Sequence, residues 1–148
     1  MKISFFADEQ LGFRFGHSTI HQLLRVTNLI RNYKSKGYSA GAALLDIEKA
    51  FDSVWHEGLI AKLSRFNFPI YIVKIVQNYL SNHTLQVSYQ NGKSVRLPVR
   101  AGVPQGSILG PILYNIFTSE LPDLPPECQK SLFADDTNIP VKVEVFVS

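Results

Sequence analysis

Apolar positions along the chain recur first at helical and then at strand spacing. Ile20, Leu23, Leu24, Thr27 and Ile30 follow helical spacing behind Ser18 and Thr19, either of which can cap a helix, and Gly37 stops it. "GAALLDI", residues 41–47, is a short apolar run that ends on Asp46 and predicts a buried strand. A second amphipathic helix is predicted from Trp55 to Phe66, with Leu59, Ile60, Leu63 and Phe66 on one face. Pro69 suits the first turn of a third helix, which carries Ile70, Val73, Val76 and Leu80 on one side.

The period then changes to two. "TLQVSY" and "SVRLPV" alternate on either side of "NG" at 91–92, a hairpin signal. "AGVPQGS" is a Gly-rich loop, and Ser107 is placed to cap a helix running to about Glu120. "LPDLPPE" is a Pro-rich surface connection. "QKSLFADDTNIPVKVEVFV" predicts strand, tight turn and strand, with Pro140 acceptable only at an edge position. There is no internal repeat and no low-complexity segment. Helices mixed with hairpins predict an α+β domain built on an antiparallel sheet.

At 148 residues the chain fits one domain and can bury a real core. A hydrophobic fraction of 45% with 11% aromatics excludes a disordered tail. The net charge of +3 and a pI near 9.0 permit a polyanionic partner, but the basic residues are scattered and form no basic tail. A lone cysteine, Cys128, excludes an intrachain disulfide, offers no thiolate metal cluster and favours a reducing compartment. Asp8 and Glu9 interrupt the N-terminal run before a signal-peptide core can form. The longest apolar stretch, around "ILGPILYNIF", falls short of the ~18 residues of a membrane span. The expectation is a soluble intracellular protein, nuclear or cytoplasmic and not secreted.

Against this basic background, "SLFADDTN" sets two adjacent carboxylates, Asp135 and Asp136, at the tip of a predicted hairpin. Taken singly, each aspartate is most simply a turn or cap residue. If the strand ending on Asp46 neighbours that hairpin, however, three carboxylates converge at one sheet edge. Their oxygens are hard ligands suited to Mg²⁺, which keeps waters and shares its other positions with phosphate oxygens. Two such ions roughly 3.5–4 Å apart can activate an attacking hydroxyl and stabilise a leaving pyrophosphate.

"LLDIEKAFDSVWH" (44–56), "AGVPQGSILGPILYNIF" (101–117) and "SLFADDT" (131–137), in this order, resemble the palm motifs of reverse transcriptases. They look most like those of non-LTR (LINE-type, jockey-like) retrotransposons, and "DEQLGFRFGHST" (8–19) resembles the block that precedes the palm. The resemblance covers residues 8 to 138 and implies an antiparallel palm sheet with packed helices, part of a right-hand polymerase fold. It implies that Asp46 and Asp135 hold two Mg²⁺ ions, with Mn²⁺ a possible substitute, and the incoming triphosphate. Asp136 shapes the site near the primer end, and the Ile47 carbonyl faces a metal. Phe51 matches the steric gate that clashes with a 2′-hydroxyl, though an ordinary core aromatic is the plain reading of that residue. Gln105 and Gly106, after Pro104, match the loop that touches nucleotide and template. Arg14, His17 and Ser18 match the earlier block, where Arg14 contacts phosphate or simply packs, and Lys49 reads as a solvated helix-start lysine. The implied activity is RNA-directed DNA synthesis, with an RNA template, a DNA primer and deoxynucleotides as partners.

The family's basic fingers strands should precede residue 8, and a lysine-bearing motif, primer grip and thumb should follow the acidic pair. Residues 1–148 therefore read as a single fragment: a fingers-to-palm lead-in at about 8–43, the palm at 44–138 and a divergent tail at 139–148. Fingers are expected to be incomplete and the thumb absent, and the fragment alone to be weak or inactive. The competing reading is a catalytically inactive remnant that binds nucleic acid or a protein.

Overall fold

Ser18 lies in extended backbone ahead of the first helix, and its N–H donates to His21 Nδ1 at 3.0 Å, so one donor at the helix start finds a partner. The structure, a computed structural model, describes residues 6–143. Its elements in chain order are α1 (Thr19–Ser35), β1 (Ser39–Leu45), α2 (His56–Arg65) and α3 (Ile70–Leu80). Four short strands follow, β2 (Thr84–Leu85), β3 (Ser88–Tyr89), β4 (Gly92–Lys93) and β5 (Leu97–Pro98), then α4 (Leu109–Phe117), β6 (Ser131–Phe133) and β7 (Asp136–Val143). All three sheets pair antiparallel, as expected of an α+β chain. The chain divides into two units, residues 1–48 with 118–148, and residues 49–117. Among the described residues no helix is long and apolar enough to cross a membrane.

In the first unit, β7 is the centre of a three-stranded sheet ordered β1-β7-β6, and α1 packs on all three strands. Gly37, at φ +80°, ends α1 as its sequence position implies. The stripe expected to be buried is not: Ile20, Leu23 and Leu24 are exposed by 66%, 67% and 52%. The inner positions are instead Gln22, Val26, Leu29 and Tyr33, again at helical spacing. Gln22 belongs among them because its Nε2 donates to Ser131 Oγ at 2.9 Å, a pairing that a hydrophobic pattern cannot display.

Two further expectations are corrected here. β1 is not a buried strand; it forms the outer edge of the sheet, and its residues from Ala42 to Leu45 are exposed on both faces. Pro140 lies in the central strand, fully buried and opposite Ala42, not at a sheet edge. β6 is short and pairs only with residues 136–138 of β7, but residues 127–129 continue the antiparallel pairing beyond it. The Pro140 carbonyl accepts the Gln129 N–H at 3.0 Å and the Lys142 N–H donates to the Glu127 carbonyl at 2.9 Å, so the missing Pro140 N–H costs the ladder a single bond. Residues 139–143 thereby complete β7, while residues 1–5, where the N-terminal run begins, and the predicted strand beyond 143 lie outside the described residues.

The second unit buries Leu59 and Leu63 of α2, Val73, Val76 and Leu80 of α3, and Leu113, Tyr114 and Ile116 of α4. The α2 and α3 residues match the predicted faces, except that Ile60 and Phe66 are half-buried and Ile70 is 68% exposed at the start of α3, where Pro69 is the cap. Ser107 caps as expected, its Oγ accepting the Gly110 N–H at 2.9 Å and donating to the Pro104 carbonyl at 2.8 Å. α4 stops at Phe117, short of Glu120, where Lys62 Nζ donates to the last carbonyl at 2.6 Å. Burial, reinforced by Arg65, lowers the Lys62 pKa from the usual lysine range.

The hairpin turn is displaced by one residue from the "NG" pair. Tyr89 pairs with Gly92, so Gln90 and Asn91 form the turn and Gly92 belongs to β4. The shift comes from a bulge: the pairs Leu85–Leu97 and Ser88–Lys93 enclose Gln86 and Val87 on one side but Ser94, Val95 and Arg96 on the other. Ser94 anchors it, accepting the Val87 N–H on Oγ at 3.0 Å and donating its own N–H to the Val87 carbonyl at 2.8 Å. Gln90 consequently adopts φ +48°, where glycine is favoured. Gln90→Gly is expected to stabilise the chain by about 1 kcal/mol in denaturant unfolding. A loss of stability would show that the turn lies elsewhere.

Candidate active site

The three aspartates all belong to the first unit, and backbone pairing brings them to one end of its sheet. β1 and β7 run antiparallel with Leu45 opposite Thr137, so the next residue, Asp46, falls alongside Asp136. Phe133 pairs with Asp136, which leaves Ala134 and Asp135 as a two-residue turn between β6 and β7. Asp46 and Asp136 are exposed and Asp135 is half-buried. Ile47 follows Asp46 in irregular backbone and is 39% exposed.

Among the described residues, no three His, Cys, Asp or Glu side chains are gathered into a group that could hold a metal ion. The expected convergence is therefore one of strand ends and not of a closed carboxylate cluster, consistent with repulsion between like charges in solvent. The donor set still fits a hard cation. Mg²⁺ is commonly held by one or two carboxylates with waters and substrate phosphates in its remaining positions, and exposed aspartates leave room for both. A cleft of about 290 Å³ runs beside Asp136, lined also by Phe133 and Asn138 and by Gln22, Leu23 and Val26 of α1.

The acidic turn is held by a residue that the motifs do not single out. Gln10 is 3% exposed, and its Oε1 accepts two backbone N–H groups, Gly12 at 2.8 Å and Ala134 at 2.9 Å. Its Nε2 donates to the Ala134 carbonyl at 2.9 Å. Ala134 sits at φ +59°, an unfavourable conformation for a residue with a Cβ, directly before Asp135. The neighbouring backbone adds two bonds, Leu11 N–H to the Leu132 carbonyl at 3.0 Å and Leu132 N–H to the Glu9 carbonyl at 3.1 Å. The only signal in the sequence is the place of Gln10 inside "DEQLGFRFGHST".

The other residues of that block make local hydrogen bonds. Arg14 Nη1 donates to the carbonyls of Ala7 at 3.2 Å and Gln10 at 3.1 Å. Ser18 is the α1 cap, and the exposed His17 has its Nδ1 3.1 Å from the Phe15 carbonyl.

In the second unit, hydrogen bonds tie the segments "FDSV" and "AGVPQG" together. The Phe51 carbonyl accepts the Val103 N–H at 2.9 Å, and the Val54 carbonyl accepts the Gly102 N–H at 2.8 Å. Gln105 Nε2 donates to Asp52 Oδ1 at 2.9 Å. Gly102 is required here, since its φ is +92° and a Cβ would lie 2.8 Å from the Asp52 Cα. The Phe51 ring is half-buried and stacks on Tyr114 with centroids 4.5 Å apart. Gly106, at φ +77°, is open to solvent: a Cβ added to it would meet no atom within 4 Å. Gln105 and Gly106 are thus exposed beside a cleft of about 200 Å³ that Pro104 and Gln105 help to line. Lys49 is not at a helix start: it sits at φ +53° in a turn whose carbonyl accepts the N–H groups of Asp52 and Ser53.

Comparison with known proteins agrees with these motifs. A family model described as reverse transcriptase (RNA-dependent DNA polymerase) matches residues 1–144. The chain is 42% identical to the RNA-directed DNA polymerase from mobile element jockey of Drosophila melanogaster, over 90% of this chain and 15% of that protein. It is 43% identical to the probable RNA-directed DNA polymerase from transposon BS of the same organism, over 78% of this chain and 13% of the relative. The corresponding protein of transposon X-element is 38% identical over 87% of this chain and 14% of its own length. The chain thus spans about one seventh of the length of the curated relatives it matches. Matched almost from end to end and carrying the motifs in order, this chain belongs to the reverse transcriptase (RNA-dependent DNA polymerase) family, with relatives among the jockey-like, non-LTR elements.

Proposed function

We propose that this chain supplies the palm of an RNA-directed DNA polymerase that adds deoxynucleotides to a primer 3′-hydroxyl on an RNA template. The observation that carries the proposal is the β1–β7 register, which sets Asp46 alongside Asp136 and next to the Asp135 turn. Asp46, Asp135 and Asp136, with the Ile47 carbonyl, are the groups that would hold two Mg²⁺ ions or Mn²⁺ in their place. When bound, such ions supply Lewis-acid activation of the attacking hydroxyl and charge neutralisation at the leaving pyrophosphate.

The chain's own residues position the reactants. The carboxylates fix negative charge at an exposed sheet end, where a hydrated cation and a triphosphate can reach it. Gln105 and Gly106 offer polar side chain and bare backbone to the nucleotide and template, and the bond from Gln105 to Asp52 orients the loop. Phe51, braced by Tyr114, is the candidate gate against a ribose 2′-hydroxyl. Intact acidic motifs and relatives named as polymerases favour this reading over an inactive remnant. Its site of action would be intracellular, wherever template RNA and primer meet.

The test is primer extension on an RNA template with Mg²⁺ and deoxynucleotides, using the chain extended at both ends to the length of its relatives. Extension is expected, and Phe51→Val should admit ribonucleotides while keeping deoxynucleotide incorporation. Absence of any templated extension contradicts the proposal, and an unchanged sugar preference reduces Phe51 to a packing residue.

A further inference from the structure

We infer that Gln10 is a positioning residue for the metal-binding turn, holding Asp135 and Asp136 in the geometry that captures the cation. The inference rests on the reading of those aspartates as metal ligands. Three features carry it. The Gln10 amide is buried and uses both of its ends, Oε1 on the N–H groups of Gly12 and Ala134 and Nε2 on the Ala134 carbonyl. The residue so clamped, Ala134, is held at φ +59° immediately before the two carboxylates. Finally, Gly12 approaches so closely that a Cβ on it would lie 2.1 Å from the Ala134 nitrogen, so the segment bearing Gln10 is pressed directly onto the turn.

A primary amide is the side chain this clamp needs. The turn presents an N–H and a carbonyl of one residue, and only a group with both an acceptor and a donor can satisfy them together. Such outer contacts fix the orientation of metal ligands, and their loss typically weakens metal affinity about 10–100-fold. Gln10 touches neither cation nor substrate; it acts through the backbone of Ala134.

The experiment is Mn²⁺ titration of the full chain, followed by electron paramagnetic resonance, with unfolding curves recorded in parallel. Gln10→Met should raise the Mn²⁺ dissociation constant at least about tenfold. Gln10→Glu keeps the acceptor oxygen for the two N–H groups but loses the donor to the Ala134 carbonyl. It should fold if Gln10→Met does not, and it should also bind Mn²⁺ more weakly. Val76→Ala removes buried volume from α3, which carries none of the site residues, and should leave Mn²⁺ affinity unchanged despite its own effect on stability. Wild-type affinity in both folded Gln10 variants overturns the inference while leaving the metal reading intact, provided Asp135→Asn still weakens binding. Equal weakening by Val76→Ala would reduce Gln10 to a general stability residue. Mn²⁺ binding indifferent to Asp135→Asn overturns the metal reading, and the inference with it.

Discussion

Asp135→Asn is expected to lower RNA-templated primer extension by about 10³-fold or more, with little change in the stability of the fold. A catalytic metal contributes several kcal/mol of charge stabilisation in the transition state, and every ~1.4 kcal/mol is a factor of ten in rate. Replacing one oxygen by an amide removes the charge while preserving side-chain shape. Asn suits turns as well as Asp does, and Asp135 occupies the two-residue turn between β6 and β7, so the unfolding free energy should move by less than about 0.5 kcal/mol. The loss should fall on kcat. Steady-state kinetics of the length-extended polymerase measure this directly, and activity within tenfold of wild type would remove Asp135 from the chemistry.

The largest effect on stability is expected at Gly12. A Cβ built there meets the Ala134 nitrogen at 2.1 Å and the Ala134 Cα and Phe133 carbonyl carbon at 2.9 Å. These are backbone atoms of the β6–β7 turn, and no side-chain rotation relieves the clash. Gly12→Ala must push the segment off the hairpin, and the Gly12 N–H then leaves Gln10 Oε1. The expected cost exceeds about 3 kcal/mol in urea unfolding. Gly16→Ala is the contrast: φ is +75° but a Cβ would meet no atom within 4 Å, so only the left-handed backbone penalty of about 1 kcal/mol should appear. Equal, small losses at both glycines would mean that the segment does not press on the turn.

Much of the candidate site could be seen in the sequence because its signals are local. An apolar run ending on Asp46, and a strand, two-residue turn and strand around Asp135, need only near neighbours to be recognised. The faces of α2 and α3 were equally legible, since Leu59, Leu63, Val73, Val76 and Leu80 are buried within their own unit. What escaped depends on partners far along the chain. Gln10 reaches Ala134 across 124 residues of sequence, and Gln22 reaches Ser131 across 109, so a polar residue faces inward where apolar periodicity argues against it. Pro140 escaped because its missing N–H costs the ladder only one bond, while the Gln129 and Lys142 N–H groups keep the pairing with residues 127–129. The displaced hairpin turn follows from a bulge set by Ser94, whose hydroxyl takes the Val87 N–H. β1 resembles a buried strand in composition, yet it lies at the sheet edge with Leu44 80% exposed.

If the paired ends of β1 and β7 form a metal-binding carboxylate site, calorimetric titration with Mn²⁺ tests it most directly. The wild-type chain should bind Mn²⁺, and the Asp46→Asn, Asp135→Asn double variant, folded by circular dichroism, should bind at least about tenfold more weakly because two charged ligands are gone. Equal affinity in the two proteins would contradict the assignment of these aspartates as metal ligands.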